Sequence, residues 1–296
     1  MVGLSIFVAL GGGVGDVVYD WLHEPEFRKL FGLCENYDAR VRAYVQCHCA
    51  GAEDLFAHQK YVHEVVVESW RLPNAEDAHR FNHPILDPNG TRWLPVNRND
   101  LLYHAGVQSI NVRPMKIVLT DEEQLQVARL LDRKPAVVVQ PYAGLSDRDG
   151  FDPPAIQRLC EALIKLNNQV NILIVGKNHE RGHKYAREEV LFEHPAVTNL
   201  IDRLGIRVAY HLVAGCSAFC GPHSNLVRAA WDHRRRCACV LPSPLMTDHL
   251  PKLDQKYTYG FRQPEVRQFT YEFEPGGERR FWTLDTETLA RFLLYG

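Results

Sequence analysis

Apolar positions along the chain alternate between short unbroken runs and runs spaced three and four apart. Residues 4–10 (LSIFVAL) form the first unbroken run, the pattern of a strand buried on both faces. The stretch VGDVVYDWL (14–22) then reads as the opening of a helix. Strand patterns return at 39–48 and 62–68. Segment 80–115 is rich in Asn, Pro, Asp and His and reads as a long loop carrying a small helix, NRNDLLYHAGV. Residues 119–134 predict a helix with Thr120 as N-cap and Glu123 three residues later, a capping box.

A second series begins at Pro135. AVVVQPYAG is a buried strand breaking into a turn, and DPPAIQRLCEALIKLN a helix with proline in its first turn. QVNILIVG and AVTNLI predict strands, RVAYHLVAGC a helix, and SAFCGP a strand end. SNLVRAAWDH predicts a helix, CACVLP a strand, and DTETLARFLLYG a final helix capped by Asp285. Strand and helix alternate throughout, which predicts doubly wound α/β architecture with parallel sheets. Two such series make two Rossmann-like domains facing a cleft, with ligands at the carboxyl ends of the strands.

Composition narrows this little. At 46% hydrophobic and 24% charged, the chain has ordinary globular composition. A net charge of −2 supplies no global attraction to nucleic acid or anionic lipid. No apolar run reaches the ~18 residues of a membrane span, and no signal-peptide pattern opens the chain. Cys47 and Cys49 in QCHC, and Cys237 and Cys239 in RCACVL, alternate in strand-like runs, where cysteine serves as a small core hydrophobe. No paired zinc spacing occurs, so no zinc site is expected, and free thiols suit a cytoplasmic setting.

The glycine stretch after the first strand, LGGGVGD, needs separate treatment. Gly11 and Gly13 have the first spacing of a dinucleotide loop, but Asp16 stands where the third glycine belongs, and the second strand ends without an acid. No Gly-Lys-Ser/Thr follows, which excludes a P-loop. A methyltransferase loop has a similar look, but no acid precedes the glycines. What remains physical is close backbone approach by another molecule and a helix start that favours an anion. Asp16 in that first turn is either a helix-start acid or a positioned base.

The stretches AVVVQPYAGLSDRDGFDPPAIQRLCEALIKLNNQVNILIVGKNHE and HLVAGCSAFCGPHSNLVRAAWDHRRRCACVL resemble the donor-binding half of the bacterial heptosyltransferases, glycosyltransferase family 9. Gly15-Asp16 matches that family's Gly-Asp, and NVRPMKIVLTDEEQLQVARLL is similar to its inter-domain segment. The resemblance implies the GT-B fold, with an acceptor domain at 1–134, a donor domain at 135–284 and a terminal helix, 285–296, crossing back to the first domain. It implies inverting, metal-independent sugar transfer, with no bound cofactor, from a nucleotide-diphosphate sugar as co-substrate to a hydroxyl of a saccharide or other acceptor. Asp16 would be the general base.

By the same resemblance, Gly13, Gly15, Tyr142, Gly144, Ser146, Arg148, Lys177, Glu180, His223, Ser224, Asn225 and Leu226 line the donor site. The match is inexact. Arg148 stands three residues before Phe151 where the family has a lysine two before a tryptophan, and Arg148 and Glu180 equally fit solvated loop charges. In the third motif the family's acid, glycine and histidine are His223, Asn225 and Arg228, which puts the donor sugar in question more than the nucleotide. His83, Arg98, Tyr103 and His104 are candidates for the acceptor. Arg234, Arg235 and Arg236 follow a helix at the edge opposite the ligand and read as solvated surface. Two other readings stay open: transfer to a modified nucleic-acid base, and a silent sugar-nucleotide-binding protein.

Overall fold

The structure is a computed structural model. It describes residues 5–12, 18, 21–23, 25–37, 39–47, 52–60, 62–67, 85–86, 92–95, 116–142, 153–177, 192–242, 259–273, 279–280 and 283–296. The chain divides into two compact units, Met1–Thr120 and Asp121–Gly296.

In the first unit β1 (Ser5–Gly12), β2 (Arg40–Cys47) and β3 (Val62–Val67) are joined by β4 (Ile85–Leu86) and β5 (Arg92–Pro95), in the order β3-β2-β1-β5-β4. All neighbours are parallel except β4 and β5. The sheet therefore enters segment 80–115, which the sequence pattern marks as a loop; its prolines and asparagines hide a four-residue strand, Arg92–Pro95, that pairs with β1. Helix α1 (Pro25–Tyr37) buries Phe27, Leu30 and Leu33, residues three apart on one face. The Trp21 ring meets Phe56 edge to face at 4.7 Å, and its indole N–H reaches the Lys116 carbonyl at 3.4 Å. The Gln59 amide donates to the same carbonyl.

The second unit begins with α2 (Asp121–Leu130). Glu123, expected in a capping box, binds Arg207 at 2.6 Å and so ties α2 to α4 (Ile206–Gly215). Six parallel strands and three helices follow among the described residues: β6 (Ala136–Val139), α3 (Pro153–Leu166), β7 (Asn171–Ile174), β8 (Val197–Asn199), α4, β9 (Ala218–Gly221), α5 (Asn225–Asp232), β10 (Arg236–Pro242) and β11 (Val266–Phe273). The sheet order is β12-β11-β10-β9-β6-β7-β8, with only β12 (Arg279–Arg280) antiparallel. The sequence pattern does not mark β11, whose polar residues Arg267, Gln268 and Thr270 are exposed while Val266 and Tyr271 are buried.

One face of this sheet packs Val137, Val139, Ile172, Ile174 and Cys220 against Ile156, Leu159, Cys160 and Leu163 of α3. The last helix, α6 (Thr286–Tyr295), joins that same core through Leu289, Ala290, Phe292 and Leu293. The resemblance sends this helix to the first domain. Here its apolar stripe lies on the second unit, and the Tyr295 hydroxyl donates to the Leu166 carbonyl at 3.0 Å. Asp285 caps it as expected, accepting from the Thr288 N–H at 2.9 Å. Cys34, Cys160, Cys216, Cys220, Cys237 and Cys239 are buried thiols outside any disulfide, as small core hydrophobes should be.

Arg235 and Arg236 are not free surface charges. Arg235 Nε donates to the Ala214 carbonyl at 2.6 Å, and Arg236 Nη1 to the Leu293 carbonyl at 3.0 Å. Both cations complete helix C-termini, where carbonyls lack intrahelical donors and the dipole favours positive charge. Arg234 alone is exposed, in the left-handed region at φ 49°.

Candidate functional site

Strands β8-β7-β6-β9-β10-β11 run in the 3-2-1-4-5-6 order of a doubly wound sheet. The connections leave β6 in one direction and continue from β9 in the other. In such sheets the ligand crevice lies at that reversal, outside the carboxyl ends of β6 and β9. The residues there are Gln140, directly after β6, and Gly221 to Ser224, between β9 and α5.

Gln140 is buried, with 6% of its surface exposed, yet polar, so its amide must find partners. Its backbone N–H donates to the Cys220 carbonyl at 2.8 Å. Its side-chain Nε2 donates to the Tyr142 carbonyl at 2.8 Å, and its Oε1 accepts from the Ser224 hydroxyl at 2.6 Å. Gly221 allows the approach of the two loops: a Cβ there would lie 2.8 Å from the Phe219 ring and 3.2 Å from the Gln140 carbonyl. Gly176, after β7, takes φ +140° beside the same glutamine.

Ser224 is the N-cap of α5. Its extended backbone turns the chain into the helix, and its Oγ accepts from the Val227 N–H at 3.4 Å. The N–H groups of Asn225 and Leu226 begin the helix and have no carbonyl within it. A helix start at a switch point, with its dipole directed outward, suits a phosphate or another anion.

Other predicted donor residues fall in different places. The Tyr142 ring packs in the α3 core, so its carbonyl is the part at the edge. Lys177 is exposed just beyond Gly176. The Leu226 side chain is buried, which leaves its backbone as the part at the helix start. His223 is half-buried, its ring stacked on Phe261 at 6.2 Å and 5.8 Å from Trp231. Arg228, in the family's histidine position, is buried in α5. Gly13, Gly15, Asp16, Gly144, Ser146, Arg148 and Glu180 lie outside the described residues, as do His83, Arg98, Tyr103 and His104. The structure thus brings together Ser224, Asn225, Leu226 and the Tyr142 carbonyl, and adds Gln140, Phe261 and Trp231. The first of these had a sequence signal: it is the polar end of the apolar run AVVVQ.

No family model and no curated protein matches the sequence. Solved structures do match the fold. The fold is that of the heptosyltransferases. The E. coli ADP-heptose LPS heptosyltransferase II is 14% identical, with a TM-score of 0.58 over 98% of this chain and 97% of the other. A glycosyl transferase family 9 structure from Veillonella parvula is 10% identical, with a TM-score of 0.58 over 99% and 98%. The E. coli heptosyltransferase WaaC with ADP is 11% identical, with a TM-score of 0.54 over 98% and 99%. Each of these matches spans nearly the whole of this chain and of the other. No helix of this chain among the described residues is long and apolar enough to cross a membrane. No described cluster of His, Cys, Asp or Glu is arranged to hold a metal ion.

Proposed function

We propose that the chain is an inverting GT-B glycosyltransferase that moves a sugar from a nucleotide-diphosphate donor to an acceptor hydroxyl. The observation that carries this reading is the capped start of α5, fixed to Gln140 at the switch point of the second sheet. The division of labour follows the resemblance: residues 1–134 take the acceptor and 135–284 the donor. The neighbour named for lipopolysaccharide heptosyl transfer favours a saccharide acceptor over a nucleic-acid base.

In this reading the acceptor oxygen attacks the anomeric carbon as its proton passes to the Asp16 carboxylate. The bond from that carbon to the diphosphate oxygen breaks, and the nucleoside diphosphate leaves with the electron pair. The N–H groups of Asn225 and Leu226, with Arg148, would meet the charge that grows on the leaving group. Glu180 would accept from ribose hydroxyls, and Gly13 and Gly15 would let the substrates approach the first helix.

Calorimetry with ADP, UDP and GDP tests the donor site without an acceptor. Binding of one of them, with the matching rise in melting temperature, is the expected result. No binding of any of the three at millimolar concentration overturns the reading. Once an acceptor is found, Asp16→Asn should keep donor affinity and lower turnover by at least ~100-fold. A variant that retains its turnover makes Asp16 a helix-start acid. Donor binding with no transfer to any saccharide identifies a silent binding protein instead.

A further inference from the structure

Gln140 is not among the residues that the resemblance places in the donor site, yet two loops of the carboxyl edge are hydrogen-bonded to it and a third runs beside it. Its amide nitrogen holds the Tyr142 carbonyl in the loop after β6, and its amide oxygen holds Ser224 in the loop before α5. A Cβ added at Gly176, in the loop after β7, would come within 3.9 Å of the Gln140 Cγ. We infer that Gln140 is the positioning residue of the donor site: it sets the register of the α5 start against the other two loops, and it does so without charge. This rests on the proposed donor site at the same edge.

The hydrogen-bond directions carry the argument. The Ser224 hydroxyl has one proton, and Gln140 Oε1 receives it at 2.6 Å. The Ser224 oxygen receives the Val227 N–H in turn. Ser224 therefore has no proton for a ligand, and it serves the site by holding the helix start in place. The donors for an anion are the backbone N–H groups beyond it. The group that orients Ser224 must accept from a hydroxyl and donate to a carbonyl at once. An uncharged amide does both. A carboxylate would keep the first bond, set its second oxygen against the Tyr142 carbonyl, and stand one hydrogen bond from a helix end that has to attract phosphate.

Two variants of the full chain separate register from charge: Gln140→Met removes both hydrogen bonds at similar length, and Gln140→Glu adds the charge. Each is titrated with whichever of ADP, UDP or GDP the wild type binds, from about pH 8 down to about pH 5.5, with melting temperature recorded at every point. Gln140→Met should weaken binding by roughly three- to tenfold at all pH values, since it loses position without adding charge. Gln140→Glu should weaken it by more than about 30-fold at the alkaline end. Its deficit relative to wild type should shrink as pH falls, because a protonated carboxyl again donates to Tyr142 and accepts from Ser224. A purely structural glutamine would lower melting temperature in both variants and give no pH-dependent ratio of affinities. That outcome, or a Gln140→Met variant that binds as wild type does, overturns the inference. A wild type that binds none of the three nucleotides overturns the donor site itself, and is distinguished by needing no variant.

Discussion

At the amino edge of the second sheet, Lys134 and Arg235 donate to the carbonyls of Gly215 and Ala214 at the end of α4, and Arg236 donates to Leu293 at the end of α6. At the carboxyl edge, the linked groups are an amide, a hydroxyl and two carbonyls: Gln140, Ser224, Tyr142 and Cys220. The cations that stand out in the sequence thus work on the protein's own carbonyls. The edge that suits an anion is organised by neutral groups around backbone N–H donors. A run of arginines and an anion site are different things, because a helix C-terminus needs a cation as much as a phosphate does.

The sharpest way to break this contrast is Arg235→Ala. If Arg235 closes α4, the variant should lose about 1.5–3 kcal/mol of stability, the scale of a hydrogen bond to a charged group, with nucleotide affinity unchanged. Loss of nucleotide affinity at constant melting temperature would move the arginine to the ligand. Urea unfolding beside calorimetry reads both quantities.

Ser224→Ala acts at the other edge and should show the opposite balance. Losing the cap costs about 1 kcal/mol of stability. Donor affinity should fall by roughly tenfold, as Asn225 and Leu226 lose their fixed placement. A stability loss with intact affinity would mean that the start of α5 holds no ligand.

The smallest effect compares two helix starts. Asp285 caps α6 with a charge, whereas Ser224 caps α5 without one. Bonds from the Thr288 hydroxyl and N–H hold the Asp285 carboxyl below its ordinary value, so its contribution is present above the usual carboxylate range and fades as pH falls through it. Asp285→Ala should cost about 0.5–1 kcal/mol near neutrality. Urea titrations should show the gap to wild type closing as pH drops from about 5 toward 3. A gap independent of pH would mean that helix propensity, and not the charged cap, sets the cost.

Most of the second unit was legible because its elements are bounded by chemistry close in sequence. AVVV is buried on both faces, two prolines open α3, and Ser224 and Asp285 announce their helices. Strand β11 was hidden because its outward residues are polar and its inward ones few. The roles of Arg235 and Arg236 were hidden because their partner carbonyls are 21 and 57 residues away along the chain. The role of Gln140 was hidden for a related reason: the end of AVVVQ marks a polar residue at a strand's edge, but its partner Ser224 lies 84 residues on. Local periodicity reports elements, while the groups that join elements depend on which strands become neighbours.

The buried thiols have a consequence for how opening of the second unit could be timed. Burial pushes Cys160 and Cys216 from 9.0 up to about 12, and raises Cys220 and Cys237 as well. A shift of that size leaves roughly a thousandfold less thiolate at neutral pH than an exposed cysteine has, and the thiolate is the form that reacts. A thiol reagent therefore has almost nothing to attack at these positions until the β-strands or α3 separate. Once they do, Cys160 and Cys220, which share one core, become reactive together. The labelling rate of these cysteines is then a clock for the opening of that core, one that nucleotide binding should slow and that no added probe is needed to install.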